Sequence, residues 1–142
     1  MVINVYNSGT GVSIEERIGH IIVKDWRYHR HEDGVEHCNV LNIHGENAKI
    51  EWLLTMTGMT CAEIGFDAVV NTVVLNDETK LKIHHGGRIV SHINAYGKST
   101  VVIEKDGHVE SVFLDEQATL IIEAFAIPPK SISGKGKVVN RN

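Results

Sequence analysis

The sequence predicts an all-β fold, a short parallel β-helix with coils of about 20 residues and an N-terminal cap. Two patterns recur at this spacing and favour that architecture. One alternates valine or isoleucine with other residues and begins at Val69, Ile89 and Val109. The other is shorter and begins at Leu81, Val101 and Leu120. Valine and isoleucine also outnumber alanine and leucine, a bias typical of strands.

Composition and charge limit the classes of function. The chain has 142 residues, of which 42% are hydrophobic and 23% charged, values typical of one folded domain. Its net charge of −4 argues against nucleic acid as a partner. Residues 1–6 lack the pattern of a signal peptide, and no apolar run is long enough to span a membrane. We therefore expect a soluble protein, either cytoplasmic or virion-associated.

Three segments follow one another along the chain. Residues 1–37 form the expected cap, with a strand at Val2–Tyr6 and a helical turn at Ser13–Glu16, where the spacing matches a capping box. Residues 38–127 contain the repeated alternation and form the expected β-repeat domain. Residues 128–142 are rich in glycine, serine and lysine, so we expect a flexible C-terminal tail.

Stacking of the coils predicts which side chains fill the interior. Equivalent residues of successive coils lie one strand spacing apart in a parallel β-helix. The expected inward columns are Leu81/Val101/Leu120, Ile83/Ile103/Ile122, Val69/Ile89/Val109 and Val73/Ile93/Phe113. A polar column of Asn71, Ser91 and Ser111 is expected to form hydrogen bonds along the stack.

The same spacing permits an alternative fold, an antiparallel β-barrel or cupin-like jelly roll in which each unit is a hairpin. The sequences His84-His85-Gly86-Gly87 and Asp106-Gly107 lie between alternating segments and are typical of hairpin turns. The match of like residues at a fixed offset favours coils, because successive hairpins require no such register.

The outward side of the second strand predicts a binding surface. Lys82, Val102 and Ile121 form one expected stripe, and His84, Glu104 and Glu123 form a polar stripe beside it. Three valines are also expected to point outward, namely Val70, Val90 and Val112. Exposed apolar stripes tend to mark contacts with partners. We therefore expect a homo-oligomer or a complex with another protein.

The repeated pattern of glycine, V/I-x-N/S-x-V/I, a turn and V/L-x-I resembles the passenger repeats of AIDA-type autotransporter adhesins over residues 60–125. The resemblance implies a β-helical architecture and self-association. Gly45–Trp52 and Lys105–Glu110 are similar to coil units of the SufB/SufD iron–sulfur assembly scaffolds. That resemblance implies a scaffold role in which Cys38 or Cys61 would be the ligands.

His29, His31 and Glu36 have the H-x-H-x4-E spacing of the first cupin metal motif, which this segment resembles. Two imidazoles and a carboxylate can hold a divalent transition metal. The resemblance implies a small metal-dependent enzyme that takes a further ligand from His84, His85 or His92. The other interpretation of this segment is a solvated polar loop without a metal.

The leading hypothesis is a non-catalytic structural or interaction module, with outer stripes and coil ends as contact surfaces. No phosphate-binding loop or complete metal motif is present, and the pattern places no base beside Ser91 or Ser111. We therefore predict no catalytic residues and no cofactor. The alternatives are the cupin-like enzyme with one divalent transition metal and the iron–sulfur scaffold. Cys38 and Cys61 are expected to be small buried thiols.

Overall fold

The computed structural model describes residues 2–6, 12–24 and 40–142 and shows a parallel β-solenoid, which confirms the predicted fold class. Within these residues there is no helix long and apolar enough to cross a membrane. In chain order the strands are β1 Val2–Tyr6, β2 Val12–Ile14, β3 Arg17–Lys24, β4 Val40–His44, β5 Lys49–Met56, β6 Cys61–Gly65, β7 Val69–Leu75, β8 Lys80–Ile83, β9 Arg88–Ala95, β10 Thr100–Ile103, β11 His108–Leu114, β12 Thr119–Ile122, β13 Ser131–Gly134 and β14 Lys137–Asn140.

The strands alternate between two sheets. The odd-numbered strands β1 to β13 form one seven-stranded sheet in chain order, and the even-numbered strands β2 to β14 form the other. Every strand pair in the described residues is parallel, and Thr100 pairs with both Lys80 and Thr119 in the neighbouring coils. The antiparallel barrel or cupin-like jelly roll is therefore wrong. The His84–Gly87 turn instead connects β8 in one sheet to β9 in the other.

The interior of the solenoid is apolar. In the even sheet the columns Leu81/Val101/Leu120 and Ile83/Ile103/Ile122 are fully buried, as predicted. In the odd sheet the buried columns are Val70/Ile89/Val109 and Val73/Ile93/Val112. The predictions that Val69 and Phe113 point inward are wrong. The reason is a register shift, because β9 has one residue more between its two inward positions than β7 and β11 have.

The predicted polar column lies at these register shifts. The Asn71 side chain donates a hydrogen bond from Nδ2 to the carbonyl oxygen of Glu51, at 3.1 Å. The Ser111 hydroxyl donates to the carbonyl oxygen of Ser91, at 3.3 Å. Both bonds join successive coils, as expected, although each one ends on the backbone. Ser91 differs, because its hydroxyl lies 2.9 Å from Nδ1 of His92.

Short turns with small buried residues join the two sheets. Gly87 is hydrogen-bonded to the carbonyl of His84, and Gly107 to that of Glu104, so each ends a four-residue turn. A Cβ atom at Gly87 would lie 2.3 Å from the Ile64 carbonyl oxygen, so the close approach of the coils requires glycine there. The corresponding buried turn residues elsewhere are small: Ala48, Thr60, Ala68, Thr79, Ser99, Ala118 and Ala126.

Strands at both ends of the chain extend the same two sheets. β1 pairs with β3 and β2 with β4, both in parallel. The helical turn expected at Ser13–Glu16 is wrong, because Ser13 and Ile14 belong to β2. Residues 25–39 of the sequence lie between β3 and β4 and outside the described residues. Residues 128–142, expected to form a flexible tail, contain β13 and β14, which pair with β11 and β12. This segment is therefore the last coil of the solenoid.

Candidate functional site

The first predicted stripe does not expose its central residue. Lys82, Val102 and Ile121 occupy paired positions on β8, β10 and β12, as expected. Lys82 and Ile121 are partly exposed, whereas Val102 is only 6% exposed. The expectation that Val102 is exposed is therefore wrong, since it is buried between its pairing partners Lys82 and Ile121.

The outward valines also need correction. Val70 and Val112 are fully buried, so the prediction that they point outward is wrong. Each lies next to a register shift that the repeat pattern does not reveal, because Val70 precedes the shift in β7 and Val112 follows the shift in β11. Val90 is 46% exposed, in agreement with the prediction.

The second predicted stripe makes three different sets of contacts. Glu104 forms an ion pair with Lys82 at 3.4 Å. Glu123 forms one with Arg141 of the last coil at 2.8 Å. His84 is only 8% exposed and faces residues of the preceding coils. These residues therefore share a column in which Glu104 and Glu123 are partly exposed and His84 is buried.

The predicted metal ligands His29, His31 and Glu36 lie outside the described residues. The described residues contain another group of this chemistry, formed by His44, Glu63 and His84. One nitrogen or oxygen atom from each residue lies within 4.8 Å of the others. We call these three residues the histidine cluster.

Three consecutive strands of the even sheet supply the histidine cluster. His44 ends β4, Glu63 lies on β6, and His84 directly follows β8. Gly65 pairs with His44 and lies between the two histidines. A Cβ atom at Gly65 would lie 2.9 Å from Cε1 of His84, so the absence of a side chain there gives the His84 ring its space. The two imidazole centroids consequently lie 5.9 Å apart.

Phe66 borders the histidine cluster at the following turn. Its backbone is in the left-handed region, with φ of 51°. The ring lies edge-on to His44, at a centroid distance of 4.9 Å, and to His84, at 5.7 Å. It also stacks on His85, at 5.3 Å. The left-handed turn thus places an aromatic wall against the two imidazoles.

The Glu63 carboxylate divides its two oxygens between different partners. Oε1 lies 3.6 Å from the Lys82 ammonium, and Oε2 lies 3.8 Å from Nε2 of His84. The buried Nε2 atoms of His44 and His84 have no hydrogen-bond partner within the described part of the chain. The histidine cluster therefore contains one carboxylate that is paired with Lys82 and two buried imidazole nitrogens that form no hydrogen bond within the described residues.

Burial is the largest influence on the protonation of His84. It lowers the pKa of this imidazole below its usual 6.5. The carboxylates of Glu63 and Glu104 raise the pKa in part, while His85 and His44 lower it further. The neutral form of the His84 ring is therefore favoured, and a neutral imidazole can offer its lone pair to a cation.

The histidine cluster has a signal in the sequence, in the column that contains His84. His44, Gly65, His84, Glu104 and Glu123 occupy one column, because each follows or ends an even strand in register with the next. The repeat from Asp67 to Ile122 identifies only the last three members of this column. Extending the column by two coils toward the N-terminus would have placed His44 and His84 on either side of a glycine.

The structure corrects two other predictions, which concern the thiol of Cys61 and the surroundings of Ser91. Cys61 is half-buried and takes part in a disulfide, so the expected free thiol is wrong at this position. Cys38 lies outside the described residues. His92 stands beside Ser91, contrary to the prediction that no base does. Within the described residues no carboxylate forms a hydrogen bond with the other nitrogen of His92.

Comparison with known proteins adds no relative. The chain matches no protein-family model, no curated protein and no solved structure.

Proposed function

We propose that this protein is a non-catalytic assembly module, a β-solenoid that joins copies of itself end to end. The observation that carries this proposal is the exposed last coil. β13 and β14 are the outermost strands of the two sheets at the same end of the solenoid. One side of each strand therefore presents backbone N–H and C=O groups that have no neighbouring strand within the described residues. Such edges can pair with a strand of another chain.

Apolar side chains that continue the interior columns are exposed at this end. Ile132 pairs with Val112, and Val138 pairs with Leu120, so both continue interior columns. Ile132 is 39% exposed and Val138 is 43% exposed, although their partners are fully buried. Phe125, in the turn before the last coil, is 82% exposed. Covering these side chains would remove apolar surface from water and favour association.

The occupant that fits this end best is a second copy of the chain. Its first strands, β1 and β2, are the outermost strands at the opposite end of the same two sheets. Placed against β13 and β14, they would continue both sheets in parallel, with the coil geometry that the chain already uses. A head-to-tail contact of this kind forms open filaments when its rotation does not close a ring.

The charges of the two ends are complementary. Residues 127–142 contain four basic residues and no acidic ones. Residues 1–16 contain Glu15 and Glu16 and no basic residue. Lys135 and Lys137 make no ion pair within the described residues, so they are available to a partner. Opposite charges on the two ends favour the head-to-tail orientation over contacts between like ends.

The test compares two exposed valines that differ in position. Val138→Lys adds a charge to the end of the solenoid that β13 and β14 form, which we call the open end. Val90→Lys adds the same charge to the side of the solenoid. Light scattering coupled to size exclusion should give a mass above one chain that rises with concentration. We expect Val138→Lys to reduce the mass to one chain and Val90→Lys to leave it unchanged.

A wild-type protein that stays at the mass of one chain at about 100 μM would contradict the proposal, since the Kd for self-association would then lie well above that concentration. So would an equal effect of both valine substitutions. Val102→Lys is unsuitable as a probe, because Val102 is covered by its neighbours and its replacement would perturb the fold.

A further inference from the structure

We propose that His44, Glu63 and His84 bind a divalent first-row transition metal, with Zn²⁺ as the best match. This site is separate from the open end and does not depend on self-association. It would lie on the outer face of the even sheet and join β4, β6 and β8.

The donor set matches the chemistry of zinc. Two imidazole nitrogens and one carboxylate oxygen are a known set of three protein ligands, which leaves a fourth position for water. Bonds of about 2.0–2.1 Å in a tetrahedral site place the ligand atoms about 3.4 Å apart. Oε2 of Glu63 and Nε2 of His84 are already 3.8 Å apart, and all three donors lie within 4.8 Å. Side-chain shifts of about 1 Å would complete this geometry.

The histidine cluster has the features of a prepared site. His84 is more than nine-tenths buried, and its Nε2 atom lacks a hydrogen-bond partner within the described residues. The Nε2 atom of His44 is buried and unpartnered in the same way. Buried polar atoms without partners are uncommon, because they lose their bonds to water without replacement. A cation between the rings would use both lone pairs.

Two neighbouring residues support this arrangement. Gly65 leaves the space in which the His84 ring lies above β6. Lys82 holds Oε1 of Glu63 at 3.6 Å, so Oε2 remains directed toward His84. A metal would therefore connect three successive coils through side chains that the backbone has already brought together. Its expected role is to stabilise the solenoid.

Metal titration of the untagged protein tests the site. After removal of bound metal with a chelator, Zn²⁺ titration by calorimetry should show one ion per chain. Co²⁺ should give the visible spectrum of a tetrahedral site. His44→Ala, Glu63→Gln and His84→Ala should each weaken binding by about 100-fold or more, since even outer partners of metal ligands contribute 10–100-fold.

Two controls distinguish this site from the other histidines. His92→Ala removes an imidazole outside the histidine cluster and should leave the affinity unchanged. The double variant His29→Ala/His31→Ala removes the ligands expected from the cupin resemblance and should also leave it unchanged. If this double variant loses the metal while His44→Ala and His84→Ala retain it, the proposal is overturned. Absence of binding in the wild type overturns it equally.

Gly65→Ala tests the site in a second way, in case the variants of the ligands fail to fold. This change keeps all three ligands, and the backbone at Gly65 is not in the left-handed region. The new Cβ would lie 2.9 Å from Cε1 of His84 and displace the ring. We expect at least a tenfold loss of Zn²⁺ affinity with an unchanged circular dichroism spectrum. Affinity equal to that of the wild type would contradict the geometry proposed for His84.

Discussion

Val69 and Val70 provide a matched test of the register in the odd sheet. Both are valines of β7, but only Val70 is fully buried in an interior column. Val70→Ala removes the equivalent of two CH₂ groups, or about 1.6 kcal/mol of transfer free energy at ~0.8 kcal/mol each. The cavity left behind increases the expected loss of stability to about 2–3 kcal/mol. Val69→Ala, at a partly exposed position, should cost less than about 1 kcal/mol.

Urea unfolding followed by circular dichroism measures this difference. The two variants and the wild type should share one m value, so that differences in midpoint convert directly into free energy of unfolding. A larger loss for Val69→Ala than for Val70→Ala would refute the register described here. That outcome would mean that Val69, twenty residues before Ile89, is the inward residue and that the shift between Val70 and Thr72 is absent.

Three further predictions concern a turn, a titrating group and the charged ends. Gly87→Ala should lower the free energy of unfolding by about 1–3 kcal/mol, because its Cβ would overlap the Ile64 carbonyl; a neutral effect in urea unfolding would contradict the turn geometry. Because the pKa of His84 is lowered in the folded state, the unfolded chain takes up its proton first, so metal-free protein should lose stability as the pH falls below about 6.5. Thermal melts should show a shallower loss in His84→Gln, and an identical pH profile would exclude this contribution. Raising NaCl from 0.05 to 0.5 M should weaken self-association, since opposite charges on the ends are screened; stronger association in salt would argue against head-to-tail pairing.

The repeat predicted the fold because the period of the sequence pattern equals the number of residues in one coil of a solenoid. In the even sheet, Ile83, Ile103 and Ile122 are correctly assigned, since their offsets continue without interruption through four-residue strands. The odd sheet differs, because its longer strands contain register shifts. A period specifies the length of a coil and leaves the position of an extra residue within it open. Val69 and Phe113 were misplaced for this reason.

The histidine cluster was harder to predict than the fold. His29 and His31 suggest a metal motif because they are close in sequence. A solenoid, however, brings together residues that are about one coil apart. His44 and His84 are two coils apart, and Gly65 between them carries no side chain that would suggest a site. The pairing offsets of 21 and 19 residues around Gly65 also depart from the average coil. Only the register of β4, β6 and β8 shows that the two imidazoles meet.

Hydrogen exchange measured at low and high protein concentration tests the end-to-end contact most directly. Self-association should slow exchange at the edge amides of β13 and β14, and also in β1 and β2, because these strands would gain backbone hydrogen bonds. Exchange in the interior strands β7 and β8 should not change. Protection that appears at both ends of the solenoid as concentration rises is the result we predict. Concentration-dependent protection confined to the side of the solenoid, or none at all, would contradict the assembly described here.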